Sequence, residues 1–248
     1  MSHFKQYSKY YNLLYKDKNY LEEANYIDQL IKKYAPDSKT LLDIGCGTGK
    51  HAALMADKGY KTHGIDLSET MLAEAEKSFG DKVAFSQGDI RDFKIDSSFD
   101  VITSLFHVMS YQTQNVDLYN SFNAVYNHLN EGGYFIFDCW YGPGVANDPP
   151  TVKVKRMEND EIAVVRIAEP KLHPNDCVVD VHFDITINNK SDNTYHHLSE
   201  THPMRYLFKN EIKMLCDKFG FELVDYLAWM VFDKPEANNW YAVFILKK

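Results

Sequence analysis

Three glycines at alternate positions, Gly45, Gly47 and Gly49, sit in the run Leu41-Leu42-Asp43-Ile44-Gly45-Cys46-Gly47-Thr48-Gly49-Lys50, directly after a short apolar stretch. Glycine has no Cβ, so such a run turns sharply and brings backbone N–H groups against a small molecule at the positive N-terminal end of the next helix. The chemistry this predicts is capture of a nucleotide-type ligand. A dinucleotide fingerprint would need its third glycine at position 50, which is Lys50. A phosphate-binding loop would need glycine at 44 and Ser or Thr at 51, where the chain has Ile44 and His51. Both readings are therefore disfavoured. Asp66 ends a second apolar stretch about twenty residues beyond Gly45, the offset at which a carboxylate accepts from a pair of ribose hydroxyls. The competing reading makes Asp66 the start of a helix with Ser68 as its N-cap.

Further residues could handle a second ligand. His107 and Tyr111 follow one apolar stretch and Trp140-Tyr141 another, and ligands of doubly wound sheets sit at such strand ends. A histidine there has the protonation range for proton transfer near neutrality; packing or capping is the alternative. The densest polar run is His196-His197-Leu198-Ser199-Glu200-Thr201-His202-Pro203-Met204-Arg205. On a strand, Glu200 and His202 share a face, and with Arg205 for a phosphate or carboxylate they are candidates for binding an acceptor. A solvated, charge-blunted edge strand is the alternative. No second ligand pair lies nearby to close a metal site, so no metal is assigned.

These residues need elements to hold them. Apolar runs predict strands over Thr40 to Ile44, Lys61 to Ile65, Val83 to Gln87, Asp100 to Leu105 and Tyr134 to Cys139. Helical patterns fall over Tyr20 to Tyr34, Lys50 to Lys58, Ser68 to Phe79 and Val116 to Leu129, the last closed by Glu131-Gly132-Gly133. This alternation predicts a doubly wound α/β sheet, mostly parallel. From Thr151 to about Phe208 long period-two runs with polar turns predict antiparallel strands. A helix over Asn210 to Phe219 and strands over Glu222 to Val231 and Trp240 to Leu246 follow, which makes seven sheet strands with an antiparallel β insertion between strands 5 and 6. The division expected is residues 1–145 and 209–248 as the ligand-binding core and 146–208 as the insertion on the acceptor side.

A chain of 248 residues with 45% apolar and 25% charged residues is ordinary for a globular protein. Its net charge of −8, with Lys and Arg spread along the chain, argues against a nucleic-acid partner. No apolar run approaches the roughly 20 residues needed to span a bilayer, and Met1 to Lys18 is polar and tyrosine-rich, so the expectation is a cytoplasmic protein without a membrane partner. Cys46, Cys139, Cys177 and Cys216 lie far apart with no C-x-x-C pair, which disfavours disulfide and zinc readings.

Asp43-x-Gly45-x-Gly47-x-Gly49, Gly64-Ile65-Asp66-Leu67-Ser68, Gly88-Asp89-Ile90-Arg91-Asp92-Phe93 and Leu129-x-x-Gly132-Gly133, in this order, resemble the class I methyltransferases that use S-adenosyl-L-methionine (SAM). The resemblance covers roughly residues 8 to 140 and implies the Rossmann-like fold of that family. More narrowly, the tyrosine-rich start, Gly47-Thr48-Gly49-Lys50-His51, Trp140-Tyr141 and His196 to Phe208 are similar to sugar-nucleotide N,N-dimethyltransferases, which methylate the amino group of a nucleotide-linked deoxyamino sugar. Carried over, it implies that Gly45 with Asp43, Cys46 and Gly47 faces the methionyl end of SAM. Asp66 would then face the ribose and Asp89-Ile90 the adenine, with Leu67 and Met71 against the ring and Leu105 nearby. An N-terminal segment bearing Tyr7, Tyr10, Tyr11 and Tyr15 would cover the cofactor. The catalytic candidates are His107 and Tyr111; Tyr111 stands where the sugar enzymes carry a histidine. The acceptor is expected to be a small molecule, an amino or hydroxyl group of an activated sugar, with the insertion on its side and offering a homodimer surface. A natural-product O- or N-methyltransferase, or a SAM-binding protein without catalysis, are the alternatives.

Overall fold

The computed structural model describes residues 13–14 and 18–248, so the expectations for Tyr7, Tyr10, Tyr11 and Tyr15 lie outside the described residues. The chain forms two compact units: Tyr20–Asp148 with Tyr206–Lys248, and Pro149–Arg205 with the N-terminal segment.

The larger unit opens with α1 (Tyr20–Tyr34), whose apolar stripe Ala24, Ile27, Leu30 and Ile31 is fully buried. Then come β1 (Thr40–Ile44), α2 (Lys50–Asp57), β2 (Lys61–Asp66), α3 (Glu69–Phe79), β3 (Ala84–Gln87), β4 (Phe99–Ser104), a 3₁₀ turn (Val108–Tyr111), α4 (Asn115–His128), β5 (Leu129–Tyr141) and α5 (Gly142–Asn147). The unit resumes with α6 (Lys209–Phe219), β10 (Glu222–Ala228) and β11 (Tyr241–Lys247). The sheet order is β3-β2-β1-β4-β5-β11-β10, parallel from β3 to β5 and antiparallel at β5/β11 and β10/β11. It is the doubly wound, seven-stranded sheet the sequence predicts. Strand order reverses between β1 and β4, so the turns leaving their carboxyl ends border the crevice where such sheets take ligands.

Both faces of the sheet are packed. Phe122 of α4, fully buried, meets Phe135, Phe137 and Phe221 edge-on at 5.9–6.1 Å between ring centres. On the other face α1 covers Leu41, Val101, Ile136, Val243 and Ile245.

Most element ends agree with the sequence expectation to within one or two residues, and two differ by more. Leu129-Asn130-Glu131-Gly132-Gly133 does not close a helix but begins β5; Gly132 adopts φ 77°, donates to Lys248 O at 3.2 Å, and Gly133 O accepts from Lys248 N–H at 2.9 Å. Lys248, remote in sequence, thus pairs with these residues. β10 stops at Ala228, where Ala228 N–H bonds Asp233 O and Met230 turns left-handed at φ 64°.

The second unit is an antiparallel sheet of β6 (Lys153–Glu158), β7 (Ile162–His173), β8 (Val178–Asn189) and β9 (Thr194–Leu207), in sequence order, with β9 ending in the larger unit. Ile162, Val164, Ile185 and Ile187 on one face pack with Leu13 and Leu14. In the larger unit, Tyr206 and Leu207 pair with Trp140 and Tyr141 of β5.

Candidate functional site

The glycine turn leaves β1 with Gly45, Gly47 and Gly49 all left-handed, at φ 73°, 55° and 76°. Only glycine adopts three such conformations at low cost. A Cβ on Gly45 would lie 2.6 Å from Val108 Cγ2, and one on Gly49 2.7 Å from Phe85 Cζ, whereas one on Gly47 would meet nothing within 4 Å. The turn is therefore packed at both ends and open in the middle.

Its amides are not bare, contrary to the expectation for such a turn. Gly45 and Cys46 N–H both donate to Ile65 O, at 2.8 and 2.9 Å, and Gly47 N–H donates to Asp66 Oδ2 at 2.8 Å. The reason is the parallel β1/β2 register, which pairs Asp43 with Gly64 and Ile44 with Ile65 and so brings the end of β2 under the turn. Asp66 Oδ1 meanwhile accepts Ser68 N–H at 2.8 Å, and Ser68 Oγ caps α3 by accepting Met71 N–H at 3.3 Å. The helix-start reading of this stretch and a ligand role for Asp66 are thus compatible. A carboxylate has about four lone-pair sites, and two remain after these amides. Beside it Leu67 is 64% exposed, an apolar surface next to open glycine and carboxylate. A ligand with ribose hydroxyls and a flat base fits this arrangement.

Asp43 is buried and accepts Thr103 Oγ1–H at 3.0 Å, tying β1 to β4. Cys46 is buried and its thiol is pushed far up by burial, then by the carboxylates of Asp43 and Asp66, so it stays protonated. Leu105 and Ile90 are buried in the two halves of the core, and Met71 is half-buried.

Asp89 follows β3. Its carboxylate is gripped by Arg91 through Nε–Oδ1 at 2.9 Å and Nη2–Oδ2 at 2.5 Å, and Arg91 also reaches Asp117 of α4 at 3.3 Å. That guanidinium holds the Asp89 carboxyl below the usual carboxylate range.

After β4 the chain carries two consecutive left-handed residues, Phe106 at φ 66° and His107 at φ 64°. Each costs on the order of 1–2 kcal/mol outside glycine, and strain of this kind gathers at functional sites. His107 is held from two sides. Its N–H donates to Asp138 Oδ1 at 3.2 Å, its Nδ1 stands 2.5 Å from Asp138 Oδ2, off the line of an ideal hydrogen bond, and the Tyr241 ring stacks on it at 4.3 Å and 15°. Asp138, in β5, is fully buried.

Tyr111 closes the 3₁₀ turn and is 46% exposed. Trp140 N–H donates to Ser110 Oγ at 3.0 Å, which joins this turn to the end of β5, and its ring meets Trp240 edge-on at 5.4 Å. Tyr141 is buried in the core, so its side chain backs this region where the sequence had suggested substrate contact. Asp138 and Tyr241 escaped the sequence reading. The available signal was an aspartate inside the apolar run Phe135-Ile136-Phe137-Asp138-Cys139, since a buried carboxylate demands a partner.

In the second unit His202 Nε2 lies 3.2 Å from Glu200 Oε2, and the His202 ring meets Phe183 edge-on at 5.2 Å. Arg166 stands over the Phe183 ring, its Cζ 4.8 Å from the centre. The β8/β9 register pairs Phe183 with Glu200 and Val181 with His202, but Val178 with Arg205. Arg205 therefore lies on the opposite face of the strand and leaves the cluster the sequence suggested.

Residues 41–133 match the family described as a methyltransferase domain. Over 219 residues, 88% of this chain and 90% of the relative, the sequence is 29% identical to a dTDP-3-amino-3,4,6-trideoxy-alpha-D-glucopyranose N,N-dimethyltransferase of Streptomyces venezuelae. A dTDP-4-amino-2,3,4,6-tetradeoxy-D-glucose N,N-dimethyltransferase of Saccharopolyspora spinosa is 32% identical over 126 residues, 51% of this chain and 50% of that one. The fold matches that of a SAM-dependent methyltransferase from Clostridium acetobutylicum with a TM-score of 0.83 at 24% identity, covering 100% of this chain and 99% of the other. It matches a SAM-bound amino pentose methyltransferase from Micromonospora echinaspora with a TM-score of 0.78 at 21% identity, covering 97% and 95%.

Proposed function

We propose that the chain, a SAM-dependent methyltransferase, transfers methyl groups to the amino group of a nucleotide-linked deoxyamino sugar. The observation that carries this reading is the likeness to the Streptomyces venezuelae dimethyltransferase over 88% of the chain, a span long enough to take in the antiparallel insertion as well as the methyltransferase domain.

In this reading the turn at Gly45, Cys46 and Gly47, with Asp43 behind it, takes the methionyl end of the cofactor. Asp66 offers its remaining lone pairs to the ribose, Asp89 and Ile90 face the adenine, and Leu67 and Met71 supply apolar contact with the ring. What supports these roles is the crevice position of the turn and the open side of Gly47. The bound cofactor supplies an activated methyl group on a good leaving group. The remaining work belongs to the chain: hold the nucleophile in line at about 3 Å from the methyl carbon and exclude water.

A sugar amine arrives partly protonated and must lose a proton before it can act as a nucleophile. His107, at the end of β4, is the acceptor we assign to that proton; Tyr111 and Trp140 stand at the same ends of β4 and β5 and are assigned to the acceptor. Glu200 and His202 are assigned to hydroxyl or amino groups of the sugar nucleotide.

The test is transfer of isotopically labelled methyl from SAM to a panel of nucleotide-linked amino sugars, their hydroxyl analogues and free amines. Transfer to an amino sugar, in one or two steps, is expected. Preference for the hydroxyl analogues would make this an O-methyltransferase, and tight SAM binding without transfer to any of them would overturn the reading.

A further inference from the structure

We infer that Asp138 is a positioning residue that fixes His107 in one tautomer, with the proton on Nδ1 and the lone pair on Nε2; the catalytic use of that lone pair rests on the reading above.

Nδ1 of His107 and Oδ2 of Asp138 are 2.5 Å apart. Both atoms are closed to solvent, and neither has a well-aligned hydrogen-bond partner, so each faces the other across a short contact off the hydrogen-bond line. Two bare acceptors at that distance would repel, and Oδ2 of the fully buried carboxylate would be left unsatisfied. A proton on Nδ1 removes both difficulties. The second oxygen of Asp138 accepts the His107 backbone N–H, so one carboxylate holds the peptide and abuts the ring of the same residue. The Tyr241 ring, stacked at 4.3 Å, blocks rotation of the imidazole out of that plane. Left-handed backbone at Phe106 and His107 is what turns the ring toward β5.

With Nδ1 protonated, Nε2 is the basic atom of the ring. Nε2 takes a proton from the acceptor's ammonium, leaving a neutral amine and an imidazolium. The amine lone pair forms the new N–C bond while the methyl C–S bond breaks, its electron pair returning to sulfur. The imidazolium then releases its proton to solvent, and the ring is ready for the methylated amine. Replacing Asp138 by Asn presents a possible N–H donor to Nδ1, which favours the proton on Nε2 and removes the acceptor site.

The experiment is nitrogen NMR of the full chain labelled at histidine, recorded without cofactor or acceptor at about pH 9, above the ordinary histidine range. In the unmodified chain, a pyrrole-type Nδ1 and a pyridine-type Nε2 for His107 are expected, with the signal assigned by its loss in His107→Gln. A protonated Nε2 overturns the assignment. In Asp138→Asn, with folding checked by thermal melting and SAM affinity, the Nε2 signal is expected to move toward the pyrrole type and kcat to fall about 10²-fold, the lower end of what a general base contributes. Unchanged kcat in a folded variant overturns the positioning role. Should the tautomer be as assigned while no amino sugar is methylated by the unmodified chain, the acceptor reading fails and the tautomer assignment stands.

Discussion

Asp66 Oδ2 accepts the N–H of Gly47 at 2.8 Å, so the residue that ends β2 holds the middle of the glycine turn that leaves β1. Its other oxygen holds Ser68 at the head of α3. Replacing Asp66 by Ala therefore loosens the turn and removes the contact we propose for the ribose. Hydrogen bonds to a charged group are worth about 1.5–3 kcal/mol each, so SAM affinity measured by calorimetry is expected to fall by at least about tenfold. Unchanged affinity would sink the assignment of Asp66 to the ribose.

The glycines of the turn differ in what they tolerate. Gly49→Ala drives a Cβ into Phe85 at 2.7 Å and Ala75 at 3.1 Å on a left-handed backbone. Gly47→Ala meets only the backbone penalty, about 1–2 kcal/mol. Chemical denaturation is expected to show the larger loss of stability for Gly49→Ala. SAM titration of Gly47→Ala is expected to show weakened binding in a protein that remains folded, because the added methyl points into the open side of the turn.

The fork of Arg91 on Asp89 gives a pH dependence with a definite sign. Because the folded state lowers the Asp89 carboxyl below its unfolded value of about 3.9, the ion pair stabilises the fold above that value and the contribution is lost as pH falls through the depressed folded one. Arg91→Gln is therefore expected to be less stable than the unmodified chain at neutral pH, with the gap closing in acid. A gap that stays constant in urea melts from neutrality into acid would exclude the mechanism.

Phe122 is the hub of the core under the sheet, with Phe135, Phe137, Phe219 and Phe221 around it. Phe122→Ala leaves a cavity among rings that have little room to close in, at a cost of about 3–5 kcal/mol. Equilibrium denaturation measures it; a loss below about 1 kcal/mol would mean that the rings repack.

Much of the larger unit was legible in the sequence because its signals are local. The apolar stripe of α1 and the alternation of strands and helices through β5 depend on residues near one another, and the observed bounds of α1 and β1 coincide with those predicted, Tyr20–Tyr34 and Thr40–Ile44. The start of β5 was misread because Gly132 and Gly133 look like a helix stop, while their partner Lys248 lies more than a hundred residues away. The site divides in the same way. The place of Asp66 at the end of β2, beside the glycine turn, was legible from its spacing to Gly45, whereas the link between His107 and Asp138 joins two strand ends through a register that no local pattern encodes. Arg205 was grouped with Glu200 and His202 by proximity in sequence, and the pleat of β9 separates them.

The internal hydrogen bonds of the glycine turn bear on the thermodynamics of cofactor capture. Since Ile65 O and the Asp66 carboxylate already hold Gly45, Cys46 and Gly47, the conformational entropy of ordering the turn is lost on folding, and a ligand proposed to sit there meets a turn that is already held and need not order it again.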